Sequence, residues 1–167
     1  MTEVCEAWIL GQGEGKRFAG STGATFILKA GAGETVSGYS LIEAIVPAGL
    51  PSPAAHVHNQ HEEGFYVLSG EMTVLLGERA VRAVAGSFVL VPRGTRHSYG
   101  NSGASEARCL VIGSPGGIEG LFEAFAKLAE ASGDSRLDPK AVSELGLRFD
   151  TEYDFRRSEG TPPPYHT

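Results

Sequence analysis

Residues 49–70 read GLPSPAAHVHNQHEEGFYVLSG and hold three of the chain's five histidines. Successive side chains on a strand alternate between faces, so His56 and His58 point the same way, about 7 Å apart along the backbone. Two imidazoles at that spacing can converge on one ion. Glu63 has the opposite parity, so bringing it to the same point requires a turn or bulge at Asn59-Gln60. Gly70 then reads as the turn of a hairpin.

A second stretch, residues 86–101, reads GSFVLVPRGTRHSYGN. A strand ends at the Pro92-Arg93-Gly94 turn and a new one begins, with Thr95, His97 and Tyr99 on one face. His97 is thus a candidate third imidazole. Three neutral imidazoles and one carboxylate make a borderline nitrogen and oxygen ligand set suited to Fe, Mn, Co, Ni, Cu or Zn, with one or two positions left for water or substrate. The expectation is one divalent metal ion per chain, held by His56, His58, Glu63 and His97.

These two stretches resemble the paired motifs of the cupin superfamily. The first, G(X)5HXH(X)3–4E(X)6G, is met by His56, His58, Glu63 and Gly70, with six residues rather than five between Gly49 and His56. The second, G(X)5PXG(X)2H(X)3N, is met throughout by Gly86, Pro92, Gly94, His97 and Asn101. Glu62 competes with Glu63, but only Glu63 has the motif's spacing to Gly70, which leaves Glu62 facing outward. The resemblance covers roughly residues 38–113 and implies an all-β fold, a double-stranded β-helix or jelly-roll barrel with the metal inside. Residues 53–58, 63–70 and 114–122 are further similar to small single-domain cupins grouped with quercetin dioxygenases.

Composition agrees with an all-β chain. The sequence has 167 residues, 41% hydrophobic and 20% charged, close to the size of one domain and within the globular range. Its 23 glycines, about twice the usual share and without a period, suit many tight turns. Short β-rich runs fall at 7–10, 24–29, 38–46, 64–69, 71–76, 79–84, 87–91 and 107–112. Both faces of 38–46 are largely apolar, which predicts cover on both sides.

After Pro115-Gly116-Gly117 the period changes. Ile118, Leu121, Phe122, Phe125, Leu128 and Ala129 recur at helical spacing up to Gly133, and a second short helix opens at Asp138-Pro139 and closes at Gly146. The expected organisation is a barrel over 1–115, a C-terminal helical segment over 116–149 packed on the barrel or a second subunit, and an extended Pro-containing tail over 150–167. A homodimer is expected, because edge strands such as 24–29 and the helix stripe both need cover.

Several classes of function are disfavoured. A net charge of -6 repels a phosphate backbone and an anionic membrane surface, so neither nucleic acid nor membrane is an expected partner. Two cysteines without a CxxC fit neither a disulfide scaffold nor a thiolate zinc site, and with no leader-like N-terminus the expected location is cytoplasmic. Cys109 reads as a small buried hydrophobe, and His61 and His166 as ordinary polar residues. Gly11-Gln12-Gly13-Glu14-Gly15-Lys16 fits no phosphate-loop pattern and reads as a turn.

Three functions suit these residues. One is an O2-dependent dioxygenase acting on a flavonol-like or enolic aromatic substrate, with Glu63 as weak ligand and general base. Another is a non-redox isomerase, cyclase or lyase on a polyketide- or sugar-like small molecule. The last is a non-catalytic metal- and ligand-binding barrel. Phe65, Val67 and Tyr99 are the expected apolar wall of the substrate pocket.

Overall fold

A computed structural model describes residues 7–20, 23–133 and 137–155. Its strands are β1 (Lys16–Ala19), β2 (Thr25–Ala30), β3 (Ser40–Val46), β4 (Ala55–His58), β5 (Glu62–Ser69), β6 (Glu71–Leu76), β7 (Arg79–Val84), β8 (Phe88–Val91), β9 (His97–Gly100) and β10 (Ala107–Ser114). Two helices, α1 (Glu119–Ser132) and α2 (Pro139–Leu147), and a last strand, β11 (Thr151–Asp154), follow. The strands form two antiparallel sheets, in the orders β1-β2-β3-β10-β5-β8 and β11-β4-β9-β6-β7. This is the jelly roll the paired motifs imply.

Strict alternation builds the core between the sheets. On β10, Ala107, Cys109 and Val111 are fully buried while Arg108, Leu110 and Ile112 between them are not. Ile42, Ala44 and Val46 of β3 and Phe65 and Val67 of β5 face them from the same sheet, and Met72, Val74 and Tyr99 close the layer from the other. Each large side chain fully buried in this way is worth about 1.5–3 kcal/mol. Burial also drives the Cys109 thiol up to about 12, with the Glu63 charge adding to it, so this cysteine is no nucleophile.

The motif turns pass between sheets. Chain 59–61 carries β4 of the small sheet into β5 of the large one, and Pro92–Gly94 carries β8 back to β9. Gly70 likewise joins β5 to β6 of the opposite sheet, so it is not the hairpin turn expected from local signals. It has φ +69°, and a Cβ there would sit 2.5 Å from the Glu106 carbonyl oxygen, which only glycine avoids.

Other expectations change. Residues 7–10 are exposed and form no strand, whereas Lys16–Ala19, next to the expected turn, becomes β1 by pairing with β2 and burying Phe18. The 24–29 run is therefore covered rather than an edge. The α1 stripe packs on the barrel: Ile118 and Leu121 are buried, and the Phe122 ring lies 4.5 Å from that of Phe26. Phe122, Phe125, Leu128 and Ala129 of the same stripe are only half-buried. Asp138 caps α2 by accepting from the Ala141 amide at 3.3 Å, as expected, but Gly146 lies inside the helix instead of ending it. A Cβ on Gly146 would meet the Thr151 carbonyl oxygen at 2.7 Å and the Tyr153 ring at 2.8 Å, so this glycine lets α2 lie directly on β11. The tail beyond Phe155, with His166 and its prolines, and Cys5 lie outside the described residues. No helix among the described residues is long and apolar enough to cross a membrane.

Candidate metal centre

Strand pairing brings the distant motifs together. His56 on β4 is the register partner of His97 on β9, and their rings are 4.4 Å apart. His58, two residues along β4, lies 4.9 Å from His56 and 5.4 Å from His97. Glu63 enters from β5 in the opposite sheet, so the parity conflict is resolved by the crossing at 59–61. One ligand atom from each of His56, His58, Glu63 and His97 lies within 4.8 Å of the other three, and all four residues are buried. Glu62 is exposed, and His61 stands outside this group, 6.3 Å from His58.

The outer ring nitrogens explain why the group faces inward. His97 Nδ1 donates to the Thr95 carbonyl at 2.9 Å and His56 Nδ1 to the Ala54 carbonyl at 3.3 Å. His58 Nδ1 pairs with Thr151 Oγ1 at 2.9 Å. A carbonyl can only accept, so His56 and His97 carry their protons on Nδ1 when neutral and turn the lone pair of Nε2 toward Glu63. His97 Nε2 is 2.7 Å from Glu63 Oε2, and His58 Nε2 is 3.5 Å from the same oxygen and has no hydrogen-bond partner. Four acceptors thus share one dry space. Such a set needs a proton or a cation, and its donors fit a first-row divalent ion; the cluster could hold a metal ion.

Electrostatics point the same way. Burial alone would raise the Glu63 carboxyl, but the His97 hydrogen bond and the electrostatic pull of His58 and His97 outweigh it and hold it well below the ordinary range. Burial and the neighbouring imidazoles push His56 down to about 3, keeping it neutral. His97 loses by burial and gains more from Glu63, so its net shift is upward.

Aromatic rings surround the quartet. Phe65 lies 5.3 Å from Tyr99 and 6.5 Å from His97, and Val67 continues the same buried face of β5. Two contributors escaped the sequence reading, Thr151 and Tyr153, both on β11. Tyr153 sets its ring 5.1 Å from His56, and burial and the Glu63 charge keep its phenol protonated. The available signal was the alternation in Thr151-Glu152-Tyr153-Asp154, with charged residues on one face only.

Comparison with known proteins is consistent with this geometry. The family described as "Cupin domain" matches residues 42–113, which include all four clustered residues. Residues 42–113 are a cupin domain. Quercetin 2,3-dioxygenase of Bacillus subtilis strain 168 is 30% identical to this chain over 95 residues, 57% of the chain. The chain spans about a quarter of that relative, 26% of its length. Among solved structures, the polyketide cyclase RemF of Streptomyces resistomycificus aligns over 65% of this chain and 79% of its own, at TM-score 0.56 and 21% identity. A sugar phosphate isomerase from Silicibacter pomeroyi aligns over 63% and 74%, at TM-score 0.55 and 19% identity. At those identities the two structures show the shared fold alone.

Proposed function

We propose that this cupin is a metal-dependent dioxygenase acting on a flavonol-like or enolic aromatic small molecule. The observation that carries the reading is the convergence of His56, His58, His97 and Glu63 on one buried point, each imidazole turning Nε2 inward. The 30% identity to a quercetin 2,3-dioxygenase is what favours O2 chemistry over Lewis-acid chemistry on the same residues. A bound redox-active divalent ion would supply electron transfer toward O2 and acidify a coordinated enol or phenol.

The chain's own residues do the rest. Glu63 is buried and within reach of any group placed at the quartet, so its carboxylate is the group placed to accept the acidic substrate proton. Phe65 and Tyr99 offer flat apolar surface beside His97 for an aromatic ring, and Val67 extends that wall. Thr95 and Ala54 fix the imidazoles through their carbonyls, so the rings need not reorganise as substrate arrives.

The same proposal takes residues 1–115 as the barrel domain and 116–149 as the helical segment, with β11 of the expected tail rejoining the barrel sheet, in the cytoplasm. It also takes the cupin as a homodimer. Tyr66, Leu68, Phe88 and Leu90 form an exposed apolar strip on the outer face of β5 and the edge strand β8, which suits a second copy of the same strip.

The test is oxygen uptake by protein loaded in turn with each candidate metal, using quercetin as substrate. Consumption of O2 with quercetin loss is expected for at least one metal. Turnover that continues unchanged under nitrogen would reject the dioxygenase and favour an isomerase, cyclase or lyase. No turnover across metals and substrates would favour a binding module.

A further inference from the structure

Of the four strands that surround the quartet, β11 is the one no cupin motif describes, and it returns to the barrel only after both helices. It pairs with β4 so that Thr151 lies opposite His58 and Tyr153 opposite His56. Thr151 is fully buried, and its Oγ1 makes two contacts, 3.1 Å to the Phe149 carbonyl and 2.9 Å to His58 Nδ1. A hydroxyl has one proton. The Phe149 carbonyl can only accept, so the hydroxyl donates there and accepts from His58 Nδ1–H.

We infer that Thr151 is a positioning residue that holds His58 as the Nδ1–H tautomer, with its Nε2 lone pair directed at the site, and so makes β11 part of the metal-binding apparatus. The inference rests on the metal reading of the quartet. His56 and His97 are oriented by carbonyls two residues before them in their own chain segments, which any sequence provides. His58 alone depends on a side chain from a distant element.

The rest of β11 is built to keep that hydroxyl in place. Asn59 donates to Glu152 at 2.7 Å, the Gln60 amide donates to Asp150, and Arg96 on the opposite side donates to Asp154 at 3.1 Å. Gly146 of α2 closes over the strand from outside, where any larger side chain would push Thr151 and Tyr153 away. The helical segment therefore acts on the site through β11. Outer partners of histidine ligands are typically worth 10–100-fold in metal affinity, because they fix both tautomer and ring orientation.

The experiment compares the full chain with Thr151→Val, which keeps the shape and removes the hydroxyl, and Thr151→Ser, which keeps the hydroxyl. Two quantities are read: Co2+ affinity by competition with a chelating dye, and the His58 tautomer in metal-free protein by long-range 1H–15N NMR. The inference expects an Nδ1–H His58 in the parent, a 10–100-fold weaker Co2+ affinity and a mixed tautomer in Thr151→Val, and recovery to within a few-fold in Thr151→Ser. Parent-like affinity and tautomer in a folded Thr151→Val would overturn it. So would an Nε2–H His58 in the parent, which needs no variant and settles the point if Thr151→Val fails to fold. A parent that binds no Co2+ refutes the metal reading instead, and the tautomer spectrum then judges Thr151 by itself.

Discussion

His56 and His97 are register partners across the β4–β9 ladder, and their rings stand 4.4 Å apart with Nε2 atoms turned to the same point. One backbone pairing thus joins the two motifs at the candidate metal centre. Removing either ring leaves the other three donors in place but opens the set.

About one divalent metal per chain should therefore copurify or load, and His97→Ala should lose most of it. Protons compete with all four donors, so acidification should release the ion. Elemental analysis under matched loading checks both statements; equal metal in parent and variant would remove His97 from the ligand set.

Glu63→Gln separates base from ligand. The amide keeps the shape and loses the negative charge, so turnover should fall about 10²–10⁴-fold while metal occupancy falls much less. His56, His58 and His97 variants should lose metal and activity together. Full activity in Glu63→Gln, measured on the oxygen electrode at matched metal content, would take the base role from Glu63.

Three of the four donors were legible because their spacing is local: parity places His56 and His58 together, and the turn at Asn59-Gln60 frees Glu63 from that parity, whereas His97 was legible only through the second motif. What lay beyond was the destination of each strand. Gly70 carries a turn signal whether the next strand pairs with β5 or joins the opposite sheet, and only tertiary packing decides. Trp8-Ile9-Leu10 has strand propensity but forms no strand among the described residues, while the charged Lys16–Ala19 becomes a strand because an outer strand tolerates exposed Lys16 and Arg17 so long as Phe18 is buried. β11 was read only as an extended tail for the same reason. The alternation there spans only four residues, too few to stand out after two helices, and their partner, β4, lies far upstream.

The exposed strip on β5 and β8 gives the homodimer a specific test. Phe88 is 56% exposed and Leu90 54%, on the strand that ends the large sheet. Light scattering at micromolar concentration should give a dimer mass, and Phe88→Asp should give a monomer with an unchanged far-ultraviolet spectrum. A monomeric parent would refute the dimer and leave the fold untouched.

Glu43 offers a pH test remote from the metal centre. It is buried on the outer face of β3, with its carboxylate 3.0 Å from Lys29 Nζ and 3.1 Å from Arg108 Nη2, and the Gly13 amide donates to it at 3.3 Å. Burial acts to raise its pKa, but the Lys29 hydrogen bond, the Gly13 amide and the charges of Lys29 and Arg108 together bring it below the usual value of 4.5. A folded-state pKa below the unfolded one means the stabilisation is fully present above about pH 4.5 and fades as pH falls through the lower, folded value. Glu43→Gln should cost about 1–3 kcal/mol near neutrality, the range for a hydrogen-bonded charge, or several degrees in Tm. The gap between parent and variant should stay level from pH 7 to about pH 5 and narrow below the ordinary carboxylate range. A gap that is the same at pH 3 as at pH 7 would show that Glu43 contributes through shape and packing, with its charge adding nothing.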